Sequence, residues 1–417
     1  MRVAVVGAGI VGVTTAYELS LDGHEVTVFE RRAAVASETS FANAGVQAPG
    51  YVTPWAAPGM PWKVTRHLVA RHAPVRVGLG SAFANLGWLW RWWRACRPSV
   101  HNPNRSAMFA LARFSRERQA ELTKSLQLDY EQRNGYLVLL RGVAELAQAR
   151  GGLKLLAELG VGFELVDADR ARRIEPALSP DTPLRAAIHL PHDGVGNCRQ
   201  FAQLMKAEAQ RHGAEFRLDT DVLALVPGQK PTLRLARQEQ AYDAVVVAAG
   251  VDSAPLLRPL GVRLPLLPVW GYSVTAPLRQ LDGVAAIGPQ AALMDEKYKV
   301  AISRLGQRVR VAGSAEIGGG PEDFHPGAMA TLYKVLEDWF PGTAVQAQAQ
   351  QWKGARPMLP DGPPVLGPTA APGVWLNLGH GSSGWALACG SARVLAEQIA
   401  GRAAPIDVSR LGIERLR

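Results

Sequence analysis

Six residues near the start constrain this chain more than anything else in it: Gly7-Ala8-Gly9-Ile10-Val11-Gly12. They follow a short apolar run, Val3-Ala4-Val5-Val6, that reads as a buried strand. They precede Val13, Ala16, Tyr17 and Leu19, which recur at helical spacing. Glu25-Val26-Thr27-Val28-Phe29-Glu30 then reads as a second strand. Strand, glycine turn, helix and strand within about thirty residues form the unit that binds a dinucleotide. Gly7 makes the tight turn, Gly9 lets backbone approach a pyrophosphate, and Gly12 lets helix and strand pack closely. The helix start offers free N–H groups and partial positive charge to the phosphates. Glu30 closes the second strand 18 residues after Gly12, where a carboxylate accepts ribose hydroxyls. Val6 to Gly12, Glu30 and the neighbouring Arg31 are therefore candidate cofactor contacts.

A fingerprint at residue 7 of 417 suits either NAD or FAD, and three further segments favour FAD. Ser37 to Gly45 is small and polar; Thr39, Ser40, Asn43 and Gly45 can place hydroxyls and backbone N–H groups on phosphate and flavin. Tyr242 to Gly250 is an apolar strand ending in the small residues Ala249 and Gly250. Asn377 to Trp385 is a second glycine turn opening a helix; Gly379, Gly381, Ser383 and Gly384 belong to it. Such a helix start can stabilise negative charge on a reduced flavin. Competing classes fall away. No run of 18 apolar residues exists, so no spanning helix is expected. Cys96, Cys198 and Cys389 lie far apart with no CxxC pair, which argues against a zinc site or disulfide framework and for a reducing compartment. His67, His72 and His101 show no ligand spacing, and no metal site is expected.

With these residues placed, the chain resembles the D-amino-acid dehydrogenase small-subunit family, within the wider D-amino-acid oxidase and glycine oxidase group. The matching segments are Glu38 to Gly45, Pro49-Gly50-Tyr51, Pro54 to Gly59, Gly271 to Thr275, Asp295 to Lys299, Arg356 to Gly362, and Gly379-His380-Gly381 with Gly384-Trp385. They span essentially the whole chain. The resemblance implies a Rossmann-like α/β FAD-binding domain with an inserted α+β substrate domain built on an antiparallel sheet. The expected division is 1–48, 195–262 and 350–417 for the cofactor domain, and 49–194 and 263–349 for the substrate domain. Trp270 to Val274 and Tyr298 to Ser303 alternate as strands of that sheet. The implied chemistry is oxidation of a D-amino acid, with electrons passed to a quinone or other respiratory carrier rather than to oxygen. A secondary amino acid is the sibling substrate class, and a flavin-binding subunit without turnover is the rival from another class.

The resemblance also implies roles. Val222 would hold the adenine through its backbone. Arg356 stands where the group places its carboxylate arginine, and a planar guanidinium fork suits that task. Some oxidase relatives carry a second arginine in the last glycine turn; Ser382 and Ser383 stand here, so Arg356 is expected to act alone. Tyr272 and Tyr298 are either carboxylate partners or half-buried strand residues. His380 is a candidate donor to the flavin rather than a base, because hydride transfer from a neutral amine needs none. Some relatives attach FAD through a cysteine just before the arginine; residues 351–362 contain none, so the FAD is expected to be noncovalent.

The net charge is +10, and it is localised. From Thr39 to Arg116 there is no Asp or Glu, and residues 61–120 hold eleven Lys or Arg against the single acid Glu117. Four of the eleven tryptophans, Trp88, Trp90, Trp92 and Trp93, lie in this stretch. As a helix, Trp88, Leu89, Trp92, Trp93, Ala95 and Cys96 fall on one arc, and Arg91, Arg94 and Arg97 with Trp90 on the other. Either the tryptophans are core and the arginines a wet face, or the segment lies against an anionic membrane surface. Nucleic acid is not an expected partner, since the basic residues follow no binding motif.

Overall fold

The computed structural model describes residues 1–67, 72–280 and 287–416. Val3 to Val6 form the expected strand, Arg2–Val6, at the centre of a six-stranded sheet. Glu25–Phe29 pairs with it on one side and Ala244–Val247 on the other, both parallel. Val374–Leu378 extends the sheet in parallel beyond Ala244–Val247. Val365–Pro368 closes one edge antiparallel, and Glu215–Arg217 forms the other edge. Parallel strands buried on both faces read as continuous apolar runs, which is why Val245, Val246 and Val247 are all buried. One face is covered by Ile10–Leu21, Cys198–Arg211 and Gly384–Ile399, which pack against one another. Glu18 is nearly inaccessible among them. Its carboxylate pairs with Arg118 at 2.8 Å and Arg393 at 3.0 Å, which ties the helix Pro98–Ser125 to this layer.

The second sheet has ten strands and is mixed, mostly antiparallel. Its longest pairing joins Leu267–Pro277 to Arg308–Ile317 on one side and to Gln350–Met358 on the other. Gln350–Met358 is therefore an edge strand. Alternation along Leu267–Pro277 sorts the side chains. Tyr272, Val274 and Ala276 join a core closed by the helix Pro326–Trp339. Gly271, Ser273 and Thr275 face the opposite way, with Arg356 and Arg310 by register. A bulge between Trp270 and Tyr272 shifts the register against Arg308–Ile317 and sets Ser314 at φ 56°.

Two local expectations are corrected here. Tyr298 is not in a strand: it lies in the turn between Ala292–Asp295 and Val300–Leu305, where Asp295 accepts its backbone N–H. Glu215 to Leu225 is not one strand either; it breaks after Arg217 and resumes at Ala224–Val226 in a small three-stranded sheet. The Trp-rich segment is helical over Leu86–Ala95, but its arc is only partly right. Trp88, Ala95 and Cys96 are buried and Trp92 is half-buried, whereas Trp93 is exposed with Trp90.

Candidate functional site

A crevice opens where the parallel strands end, at the place where such sheets bind ligands. It continues into one cavity of about 790 Å³. Gly7 has φ 102°, and a Cβ there would meet the Ala248 carbonyl oxygen at 2.7 Å. A Cβ on Gly12 would overlap the Gly7 carbonyl, so helix and strand approach each other only because both residues are glycine. Ser40 Oγ accepts the Ile10 N–H at 3.1 Å. Glu30 is buried at the cavity wall, and its carboxylate accepts from the backbone N–H of Ala8 at 2.8 Å and of Arg32 at 2.9 Å. Those bonds fix the carboxylate beside the fingerprint and leave further lone pairs for a ribose.

Most of the expected cofactor contacts meet here. Val6, Gly7, Gly9, Ile10, Val11, Glu30, Arg31, Thr39, Ser40, Val222, Ala249, Gly250, Gly379, Gly381 and Gly384 line this cavity, as does His380. Arg31 is held by Asp252 at 2.9 Å and Glu38 at 3.2 Å. Ala8, Gly12, Asn43, Gly45 and Ser383 stand behind the wall. Asn43 and Gly45 belong to a loop whose carbonyls are taken from outside. Arg310 donates to the Asn43 carbonyl at 3.0 Å and Ser303 to that of Ala44 at 2.7 Å. Trp385 Nε1 and the Gly196 N–H both donate to that of Gly45. Sequence reading missed Arg310, Ser303 and Trp385 in this role. The alternation of Arg308–Ile317 signals an inward Arg310, but nothing local says what it meets.

Arg356 lies in the edge strand opposite Val269. Its guanidinium rests on Gly271, where a Cβ would overlap it. Nη1 donates to the Ser314 carbonyl at 3.0 Å and that of Trp270 at 3.4 Å. Among the described residues no carboxylate pairs with Arg356, and burial alone pushes its guanidinium down to about 10. Arg356 is partly exposed and is not among the residues lining the cavity; a cation anchored on carbonyls, with no carboxylate partner among the described residues, has donors left for an external carboxylate.

The structure does not bring the other three together with it. Tyr272 lies in the core on the opposite sheet face, where its hydroxyl donates to Glu316 and accepts from the His325 N–H. Burial and that carboxylate push the phenol well above its ordinary range. Tyr298 sits in its turn under the Arg141 guanidinium, 5.0 Å from the ring centroid. His380 reaches the cavity wall, but its Nε2 bonds Ser391 Oγ at 3.0 Å inside the last helix. Burial pushes His380 down to about 3, so it is neutral.

The parallel sheet, the glycine cradle and the acid at the end of the second strand define a dinucleotide-binding oxidoreductase. The chain belongs to the FAD dependent oxidoreductase family, whose profile matches residues 2–398. It is 42% identical over 419 residues to a D-amino acid dehydrogenase of Cereibacter sphaeroides, covering all of this chain and 95% of that one. It is likewise 42% identical to a D-amino acid dehydrogenase of Rhizorhabdus wittichii, covering both chains completely. Glycine oxidase from Bacillus cereus shares the fold, with a TM-score of 0.72 at 20% identity over 96% of this chain and 95% of that one. L-Proline dehydrogenase from P. horikoshii does so too, with a TM-score of 0.73 at 19% identity over 100% and 97%. The protein is an FAD-dependent enzyme, and the cradle described above fits that cofactor. Cys96, Cys198 and Cys389 are buried away from the cavity.

Proposed function

We propose that this protein is a D-amino acid dehydrogenase. It converts a D-amino acid to the imino acid, which water turns into the 2-oxo acid and ammonia, and its electrons leave to a quinone or similar respiratory carrier. Bound FAD supplies the two-electron oxidising power. The protein's task is to bind the substrate carboxylate and hold the α-carbon in reach. The observation that carries this reading is Arg356 on its Gly271 platform, partly exposed and, among the described residues, without a carboxylate partner. Its Nη1 is fixed by two carbonyls, which leaves the rest of the fork for the carboxylate. The name shared by the full-length relatives agrees with it. Tyr272 and Tyr298 act behind this site rather than in it, and His380 serves through its backbone in the glycine turn.

The domain division belongs to the same proposal. All six strands of the parallel-type sheet fall within 1–48, 195–262 and 350–417. The strands Val46–Gln47 and Gln350–Met358 depart from the division, since both pair in the other sheet and the second carries Arg356 there.

Arg356→Ala and Arg356→Lys test the clamp. Both should lower kcat/KM about a hundredfold, because an unpaired substrate carboxylate costs about 3 kcal/mol and lysine lacks the fork. Flavin content should stay intact. A variant with near wild-type kcat/KM places the clamp elsewhere. Anaerobic bleaching of the flavin across D-, L- and secondary amino acids separates this reading from a sarcosine- or proline-type oxidation and from a flavin-binding protein without turnover.

A second reading concerns location. No helix among the described residues is long and apolar enough to cross a membrane. Yet Trp62, Phe83, Leu86, Trp90 and Trp93 are each more than half exposed within the acid-free stretch. Arg94 stacks on Trp90 at 4.6 Å and Arg97 on Trp93 at 5.6 Å. Exposed tryptophans with basic partners suit the interface of an anionic bilayer, and we propose that the protein docks there peripherally.

A further inference from the structure

Two glycines floor the patch of sheet beside the carboxylate clamp. Gly271 and Gly354 are direct partners in the pairing of Leu267–Pro277 with Gln350–Met358. Arg356 folds its guanidinium over Gly271, and Trp352 folds the six-membered ring of its indole over Gly354. A Cβ on either glycine would overlap the group above it. We propose that Trp352 is a specificity-determining residue: its indole is the wall that takes an apolar side chain of the substrate whose carboxylate Arg356 holds. The inference rests on the dehydrogenase reading above and deepens it, by naming the class of side chain and the residue that selects it.

The register carries the geometry. Directly opposite residues of an antiparallel pair project to the same face, and so do residues two apart along one strand. Arg356 lies opposite Val269, Gly354 opposite Gly271 and Trp352 opposite Ser273, so all three pairs share one face. Arg356 and Trp352 lean in from opposite sides, each two residues from Gly354 along the strand. Directly paired positions hold their Cβ atoms about 4.5–5.5 Å apart. A guanidinium lying on one member of such a pair and an indole ring lying on the other are therefore neighbours. Whatever projects from a carboxylate held by the first comes within reach of the second.

Size decides what the wall is. The floor is glycine, and Ser273 pairs with Trp352 on one side and with Ala312 on the other. None of these small residues rises far above the sheet, whereas the indole does. Trp352 is partly exposed and lines the cavity with Gly354. It also belongs to none of the apolar clusters that build the cores of the described residues. A large aromatic side chain outside every core, open to a cavity and beside a carboxylate receptor, is a ligand surface rather than packing. An alkyl chain laid on it gains with each methylene that leaves water. A charged side chain there would give up its water with no partner in return.

The test reads binding as well as turnover. Straight-chain carboxylates from acetate to hexanoate are titrated into holoenzyme, and their affinities are read from the change in bound-flavin absorbance. In wild type the affinity should rise by at least about tenfold along the series. Trp352→Ala should flatten that rise to within about threefold, and should leave acetate, which is little more than the clamped carboxylate, within about threefold of wild type. Trp352→Phe keeps an aromatic ring and should keep the rise. In turnover with a dye acceptor, the kcat/KM ratio of D-norvaline to D-alanine should fall about fivefold or more in Trp352→Ala. A rise unchanged in Trp352→Ala overturns the proposal. So does equal loss of acetate and hexanoate, which would make the ring a support for Arg356. Loss of FAD from Trp352→Ala on gel filtration would assign the indole to the cofactor and overturn it too. Failure of every D-amino acid to bleach the wild-type flavin would instead overturn the dehydrogenase reading, while the carboxylate series still decides the role of Trp352.

Discussion

Glu30 and Arg356 show how much one charged side chain owes to its surroundings. Glu30 is oriented by two backbone N–H groups before any ligand arrives, so little is lost in aiming it. Glu30→Ala should weaken FAD retention by roughly 1.5–3 kcal/mol, the range for a charge-assisted hydrogen bond. Equilibrium dialysis of the holoprotein would measure it, and unchanged retention would mean the ribose is held elsewhere. Because no cysteine lines the cavity, the FAD lost should be free FAD, and acid precipitation should leave no colour in the pellet. Both residues were legible in sequence, Glu30 from spacing and Arg356 from its motif. The Gly271 platform and the Ser314 anchor under Arg356 were not. They depend on pairing between strands 42 and more residues apart and on a bulge that no local pattern announces.

At the scale of elements, the helix Leu86–Ala95 serves two surfaces. Its inner face packs Trp88 against Val269 and Met358, the strand residues that flank Arg356, and Trp88 Nε1 reaches the Met358 carbonyl at 3.4 Å. Its outer face shows Trp90 and Trp93 with their stacked arginines. The two faces should therefore separate on mutation. Trp88→Ala should cost about 3–5 kcal/mol of stability, as large aromatic truncations in a core do. Trp90→Ala with Trp93→Ala should leave thermal unfolding and dye-linked activity unchanged and abolish flotation with anionic liposomes at low salt. Flotation that survives the double variant, or wild-type protein that ignores such liposomes, would reduce the outer face to solvated surface. Helical periodicity placed Trp88, Trp92 and Trp90 correctly and misplaced Trp93. An arc drawn from one helix cannot say where the neighbouring layer stops, and here it stops at Ala95 and Cys96.

For the whole molecule, buried carboxyls and the buried His380 pull the pH response in opposite directions. Glu175 caps the loop before Ala292–Asp295, accepting from the N–H groups of Gln290 at 2.8 Å and Ala291 at 3.2 Å. Burial outweighs those bonds and pushes it up to about 7, and burial pushes Asp193 up to about 6. A raised carboxyl makes the folded state bind more protons than the unfolded one. Its contribution is complete below about 4.5 and is lost as pH rises through about 7. The loss from Glu175 is on the order of 3 kcal/mol. Between pH 5 and 7.5 this loss opposes the gain from the buried neutral His380, and Glu175→Gln should make Tm rise more, or fall less, with pH than in the wild type. Parallel slopes would mean that Glu175 is already ionised at pH 5. The fold class was readable because the fingerprint is contiguous. The partners of its first strand are not contiguous, and that has a consequence for synthesis. Arg2–Val6 is made early, yet it waits for Ala244–Val247, and that strand waits in turn for Val374–Leu378. At roughly 5–20 residues per second, the first wait alone lasts about 12–50 s. Through that interval a valine-rich strand has an open edge on the ribosome, the kind of surface that recruits wrong partners. The newborn chain needs shelter through that interval, and it can take up its flavin only when Gly379 to Gly384 have emerged to complete the cradle.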